Sequence, residues 1–319
     1  VIDWALERDL ERSFEAARAT RERIARHVRP TPLLECEGSP QRALKLECLQ
    51  RTGSFKVRGA AAALSAAERP HAVIAASTGN HGLAVAALAR SLGLPCRVFV
   101  PATAAPAKLA LLAATGAELE RVAGDPLEAE LAARDAAEAA GALLVAPYND
   151  PQVILGQATI GLELLEQVPR APDALFVAVG GGGLISGVAI ALRERWAQTR
   201  IVGCVAATSP ALAEAVAAGH AVDSRLEPTL ADASAGNIEA GSITVPLAAA
   251  LVDRFEMIEE GEIAAAMRTA ALEHHLVIEG AAALALAGSL RGAAADGGRH
   301  VVVLGGGNVG ADTLRAILR

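Results

Sequence analysis

The sequence predicts an α/β fold in two lobes, rich in parallel sheet, with helices on both sheet faces. Three observations predict it. Short β-like runs take turns with helical stretches along the chain, the repeated strand-crossover-helix pattern of parallel sheets. Several of those runs, among them Leu175-Phe-Val-Ala-Val and Val301-Val-Val-Leu, are apolar throughout instead of alternating, which suits strands buried on both faces. Finally, 319 residues suffice for two lobes with a cleft between them.

After an amphipathic first helix, the first pair is a strand over Ala72 to Ala76 and a helix over Asn80 to Leu92. Arg97 to Val100 and Pro106 to Thr115 form the second pair, and Leu119 to Val122 with a helix from Pro126 the third. Leu143 to Val145 then leads into a long helix, Pro151 to Gln167, and the stretch Pro147 to Pro151 reads as the crossing between lobes. In the second half, Leu175 to Val179 precedes a helix from Gly183, Arg200 to Val205 one from Pro210, and His300 to Leu304 one near Gly310. No internal repeat, low-complexity tract or long linker interrupts this order.

Composition narrows the function. Hydrophobic residues make up 52% and charged residues 20%, a compact globular protein, and with aromatics at 3% its core is aliphatic. A net charge of −7 without any basic run argues against a nucleic-acid partner, since phosphate backbones need clustered Lys and Arg. Cys36, Cys48, Cys96 and Cys204 are scattered, form no Cys-x-x-Cys pair, and read as reduced intracellular thiols. Residues 1–27 carry charges every few positions and cannot be a signal peptide, and no apolar run reaches the ~18 residues of a spanning helix. A cytoplasmic enzyme on a small molecule is the expectation.

Two glycine-rich segments and one lysine carry the chemistry. Gly180 to Gly183 lie directly between an apolar strand and the helix beginning Leu184-Ile-Ser-Gly, where bare backbone amides and the helix dipole favour a phosphate. On its own the run also serves as a plain tight turn. A dinucleotide would need an acidic residue at the end of the next strand, and that strand ends Cys204-Val-Ala-Ala-Thr-Ser, so a monophosphate cofactor fits better. In Thr52-Gly-Ser-Phe-Lys-Val-Arg-Gly-Ala, Lys56 falls in a first helical turn, where the positive helix end and burial would both lower its pKa, as a Schiff-base lysine requires. A solvated helical lysine is the plainer alternative. Ser77-Thr-Gly-Asn-His-Gly follows a strand and opens a helix, so its amides can receive a carboxylate while Asn80 donates to an oxygen; an Asn-capped helix explains the segment as well.

Together, Ser54-Phe-Lys-Val-Arg-Gly-Ala, Ser77 to Gly82, Gly180 to Leu184, Glu279-Gly-Ala-Ala-Ala and Leu304-Gly-Gly-Gly-Asn-Val resemble the fold-type II pyridoxal-phosphate enzymes. Within them the chain is similar to the serine/threonine ammonia-lyases (dehydratases), with His81 after Asn80 as in that branch. The resemblance runs nearly end to end, through Gly156-Gln-Ala-Thr-Ile-Gly as well. It implies the three-layer α/β/α fold of the tryptophan synthase β kind, a large lobe of residues 1–66 and 150–319, a mobile small lobe of residues 67–149, and a homodimer. It implies pyridoxal 5'-phosphate held by Lys56, with Phe55 beside the ring, Asn80 at the phenolic oxygen, Gly180, Gly181, Gly182, Gly183 and Leu184 at the phosphate, and Glu279 and Gly305 near the ring. Ser77, Thr78, Gly79, Asn80 and His81 would take the substrate carboxylate, with Lys56, Ser77 and Thr78 catalytic. The implied reaction converts L-serine or L-threonine to a 2-oxo acid and ammonia; related members dehydrate other β-hydroxy amino acids, such as hydroxyaspartate, or racemise.

Three departures qualify this. Gly305 stands where relatives place a Ser, Cys or Thr against the pyridine nitrogen, which disfavours racemisation. Val205 and Ala211 stand where some relatives hold a cation with carboxylates, so no metal is expected there. The chain ends at Arg319, so control through an additional regulatory domain is not expected. His274, His275 and Tyr148 read as packing or surface residues.

Overall fold

The computed structural model describes residues 5–36, 41–102, 104, 106–124 and 126–319. The helices are α1 (Leu10–Ile24), α2 (Lys56–Ala66), α3 (Asn80–Ser91), α4 (Pro106–Ala113), α5 (Pro126–Ala140) and α6 (Pro151–Gln167), then α7 (Gly183–Arg193), α8 (Ala211–Ala218), α9 (Thr244–Leu251), α10 (Glu260–Glu273), α11 (Gly280–Asp296) and α12 (Ala311–Ile317). A six-stranded sheet contains β1 (Leu33–Glu35), β2 (Arg42–Lys45), β7 (Ala174–Ala178), β8 (Arg200–Ala206), β9 (Arg254–Ile258) and β10 (His300–Val303), in the order β1-β2-β10-β7-β8-β9. A four-stranded sheet contains β3 (Val73–Ala76), β4 (Cys96–Pro101), β5 (Glu118–Val122) and β6 (Leu143–Leu144), in the order β5-β4-β3-β6. Every pairing is parallel except β1 with β2.

The apolar runs became central strands for the reason their sequence gives. Along β7 and β10, Leu175, Val177, Val301 and Val303 face α6 and α7, while Ala174, Phe176 and Val302 face α10 and α11. Two apolar faces demand two helical layers, so the large sheet is sandwiched. The small sheet repeats the scheme: Val73 and Ala75 pack on α2 and α3, and Ile74 and Ala76 on α5. No helix among the described residues is long and apolar enough to cross a membrane.

The antiparallel β1–β2 pair and the parallel edge strand β9 stand outside the strands expected from sequence. β1 and β2 are three and four residues long, too short to show a period, and β9 places Arg254 at the exposed edge of the sheet, where it pairs with the largely buried Glu256. Edge strands tolerate charge because one of their sides meets water.

Helix α2 is fixed by two contacts. It crosses α6 so closely that a Cβ on Gly156 would lie 2.6 Å from the Arg58 carbonyl oxygen and from Gly59 Cα, so only glycine admits the approach. Beneath the crossing, buried Arg58 donates to Glu47 (Nε–Oε2 and Nη2–Oε1, both 2.8 Å) and to Glu163 Oε1 at 2.7 Å. Glu163 also takes the buried Lys45 ammonium, which donates in addition to the Thr31 carbonyl at 2.8 Å. Two cations and two carboxylates cancel, which makes burial of all four tolerable. The far end of α6 is held by Asp150, whose Oδ1 accepts from the Gln152 and Val153 amides at 2.6 and 3.2 Å, with Pro151 at the first helical position.

Candidate active site

Lys56 is the first residue of α2, and its Nζ donates to the Pro147 carbonyl at 2.8 Å and lies 5.4 Å from the centre of the Phe55 ring. Burial lowers its amine to about 8, partly offset by the negative potential of Glu130 and Glu279. The sequence reading of a perturbed lysine at a helix start therefore holds, with desolvation as the dominant cause. Phe55 is tied down in turn, its amide donating to the Gly305 carbonyl at 3.0 Å.

The four glycines link β7 to α7. Gly182 sits at φ +86, a left-handed conformation that glycine adopts without strain. A Cβ on Gly181 would fall 2.3 Å from the Tyr148 ring. The free amides of the first turn of α7 thus open on a cavity lined by Phe55, Lys56, Gly180 to Leu184, Glu279 and Gly305. Every residue expected at the cofactor lines this cavity, and a glycine cradle plus one amine of lowered pKa fits a phosphorylated aldehyde.

A second, adjoining cavity of about 910 Å³ shares Lys56, Asn80, Pro147, Tyr148 and Gly181 with the first. Its walls include Ser77, Thr78, Gly79, Asn80 and His81 on one side, Lys108 and Glu130 on another, and Asp232 to Asn237 on a third. The Ser77 loop is built by local bonds: the Ser77 amide donates to the Phe99 carbonyl at 3.1 Å, and Ser77 Oγ accepts from the Gly79 amide at 3.0 Å. That places the N-terminus of α3 against the cavity.

Asn80 and His81 face partners within the protein. Asn80 Nδ2 donates to Glu279 Oε1 at 2.7 Å, and its Oδ1 accepts from Asn308 Nδ2 at 2.7 Å. Burial holds the Glu279 carboxyl up at about 7, against the pull of the Asn80 bond. His81 Nε2 lies 2.7 Å from the Val145 carbonyl, which can only accept, so Nε2 carries the proton. Burial and the neighbouring Lys56 charge press His81 down to about 3, leaving a neutral ring whose Nδ1 has no partner among the described residues.

Sequence reasoning missed two residues, Tyr148 and Asn308. Tyr148 does pack, as expected, but what it packs on is the glycine loop, and its hydroxyl accepts from the Glu239 amide at 2.9 Å. Asn308 joins Asn80 to the Thr52 carbonyl, and Ser234 borders both cavities with its backbone against Gly180. A lone tyrosine beside a proline gives no local signal; Asn308 was visible within its glycine motif. His274 lies 3.9 Å from Cys36 Sγ and lines neither cavity. Among the described residues no three His, Cys, Asp or Glu side chains converge on a metal site, and Val205 and Ala211 are buried apolar residues.

Comparison with known proteins agrees with this geometry. The chain is 38% identical over 306 residues to the L-threonine ammonia-lyase of Geobacter sulfurreducens, covering 93% of this chain and 76% of the relative. It is 37% identical to the L-threonine ammonia-lyase of Thermotoga maritima, over 86% of this chain and 69% of the relative. Among solved structures it is similar to a T.th. threonine deaminase (TM-score 0.82, 33% identity, 93% of this chain and 98% of that one) and to maize serine racemase (TM-score 0.87, 29% identity, 95% of each). Residues 24–306 match the family described as pyridoxal-phosphate dependent enzyme. With most of its length inside that match, and the lysine, glycine loop and Asn80 loop gathered around two joined cavities, the chain belongs to the pyridoxal-phosphate dependent enzymes.

Proposed function

We propose that the protein eliminates water from L-threonine and L-serine, yielding a 2-oxo acid and ammonia. The observation that carries this is the position of Lys56: one amine of pKa about 8 stands where the glycine-loop cavity meets the cavity walled by Ser77 to Asn80. The names of the relatives, L-threonine ammonia-lyase among them, support the same substrate class.

Pyridoxal phosphate supplies an electron sink conjugated to the substrate Cα. Lys56 would hold it, Gly180 to Gly183 and the α7 amides would take its phosphate, and Phe55, Leu184, Asn80, Glu279 and Gly305 would line the rest of its site. The Ser77–Asn80 loop, at the positive end of α3, orients the substrate carboxylate. Lys56, its pKa lowered by burial, would act as the general base that removes the Cα proton. The Cβ–O bond breaks, the hydroxyl departs with a proton as water, and the released enamine takes up water to give the 2-oxo acid and ammonia. His81, neutral and bonded to Val145, holds the loop in place.

Residues 67–149 act as a small lobe that closes over the substrate, residues 1–66 and 150–319 as the large lobe, and two copies form a homodimer in the cytoplasm. The test is an absorption spectrum of the purified protein followed by L-serine and L-threonine with 2-oxo acid detection. A visible band lost in Lys56→Ala, with pyruvate or 2-oxobutyrate formed and activity retained in a chelator, is the expected result; absence of the band overturns the proposal. Gly305 leaves the pyridine nitrogen without a side-chain hydroxyl or thiol, so elimination should outrun serine racemisation, and equal rates would refute that point.

A further inference from the structure

The substrate cavity carries a charge arrangement that the reaction itself does not require. Its lining cations among the described residues are Lys56, committed to the cofactor, and Lys108. Its lining carboxylates are Glu130 and Asp232. Lys108, on α4 beside the small sheet, donates to Asp232 Oδ2 at 2.5 Å, and Asp232 opens the 3-10 turn Asp232–Ser234 between α8 and α9. The two side chains are 39% and 56% exposed, so as a surface ion pair they add little to stability. Their charges nevertheless act down the cavity, since Asp232 raises and Lys108 lowers the pKa of Glu279 on the cofactor side.

We infer that the Lys108–Asp232 pair is the side-chain filter of the substrate cavity, admitting neutral β-hydroxy amino acids and turning away those with a carboxylate side chain. This rests on the amino-acid reading of the site and names the substrate class within it. A serine or threonine side chain brings no charge and needs no counter-ion. A hydroxyaspartate-like side chain would bring a carboxylate toward Asp232 and Glu130, and the one cation able to receive it, Lys108, is already engaged. Specificity of this kind comes from repulsion built against the wrong ligand as much as from attraction to the right one.

The filter can be read by binding, apart from turnover. The holoenzyme, Asp232→Asn and Lys108→Met are titrated with L-2-aminobutyrate and L-aspartate, neither of which has a β-hydroxyl to lose. Wild type should prefer L-2-aminobutyrate. Asp232→Asn frees Lys108 and should cut that preference at least about tenfold, whereas Lys108→Met should leave it as strong or stronger. If both variants weaken both ligands by the same factor, the pair is only a latch between the two walls and the inference falls. If neither ligand binds any of the three proteins, the amino-acid reading fails and takes the filter with it. Selective binding without 2-oxo acid from serine or threonine would instead refute the proposed reaction while upholding the filter.

Discussion

Replacing Lys56 by Met should abolish activity and yet stabilise the cofactor-free protein. The fall of the amine from 10.5 to about 8 means that the folded state opposes its charge by about 3 kcal/mol. Losing the Nζ donation to the Pro147 carbonyl returns about 1 kcal/mol of that, leaving a gain of about 2 kcal/mol at pH 7. The sign follows from linkage: between pH 8 and 10.5 the unfolded chain holds this proton more tightly than the native state, so wild-type stability climbs with pH across that window. Urea denaturation of wild type and Lys56→Met after cofactor removal, at pH 7 and at pH 10.5, measures both numbers. The advantage of the variant should shrink to nothing or reverse at the higher pH. A variant less stable at pH 7, or an advantage unchanged across the window, would refute a desolvated ammonium as the state of this site.

Glu279 should show the opposite dependence. Its folded value of about 7 lies above the ordinary 4.5, so the stability it contributes is full below 4.5 and lost as pH rises through 7; Glu279→Gln should gain on wild type over that interval in denaturant titrations and hold the gain above it. Gly181→Ala drives a Cβ to 2.3 Å from the Tyr148 ring, and the forced shift of loop or ring should cost about 1–3 kcal/mol, seen as weaker retention of cofactor on dialysis. Arg58→Met leaves Glu47 and Glu163 short of one buried cation and should destabilise by about 3–5 kcal/mol in thermal or urea unfolding, while any protein that does fold keeps its visible band.

Much of the architecture was legible because buried parallel strands write themselves as unbroken apolar runs. β7, β8, β10 and the four strands of the small sheet lie within a residue or so of the runs that foretold them, and α6 spans the residues expected. β1 and β2 were not legible because strands of three and four residues show no period; β9, charged at a sheet edge, was passed over, whereas the likewise charged edge strand β5 was read from its place in the strand–helix order. In the site, each lysine, asparagine and glycine assigned by motif lines one of the two cavities. What escaped were pairings made only by tertiary folding. Lys108 and Asp232 are 124 residues apart, and neither neighbourhood hints at the other. Glu163 did leave a readable trace, as a carboxylate set among apolar residues of α6 that had to find a buried cation.

The short stretch from β6 to α6 carries more of the site than its length suggests. The Val145 carbonyl receives His81, the Pro147 carbonyl receives Lys56, Tyr148 covers Gly181, and Asn149 bonds both Glu239 and the Ile243 amide. The Ser77–His81 loop, Lys56 and the glycine loop are therefore referenced to one common ruler, each at a different mark. A single-residue insertion or deletion between Val145 and Asp150 would put all three out of step at once, so drift in chain length that surface loops absorb freely has no room here.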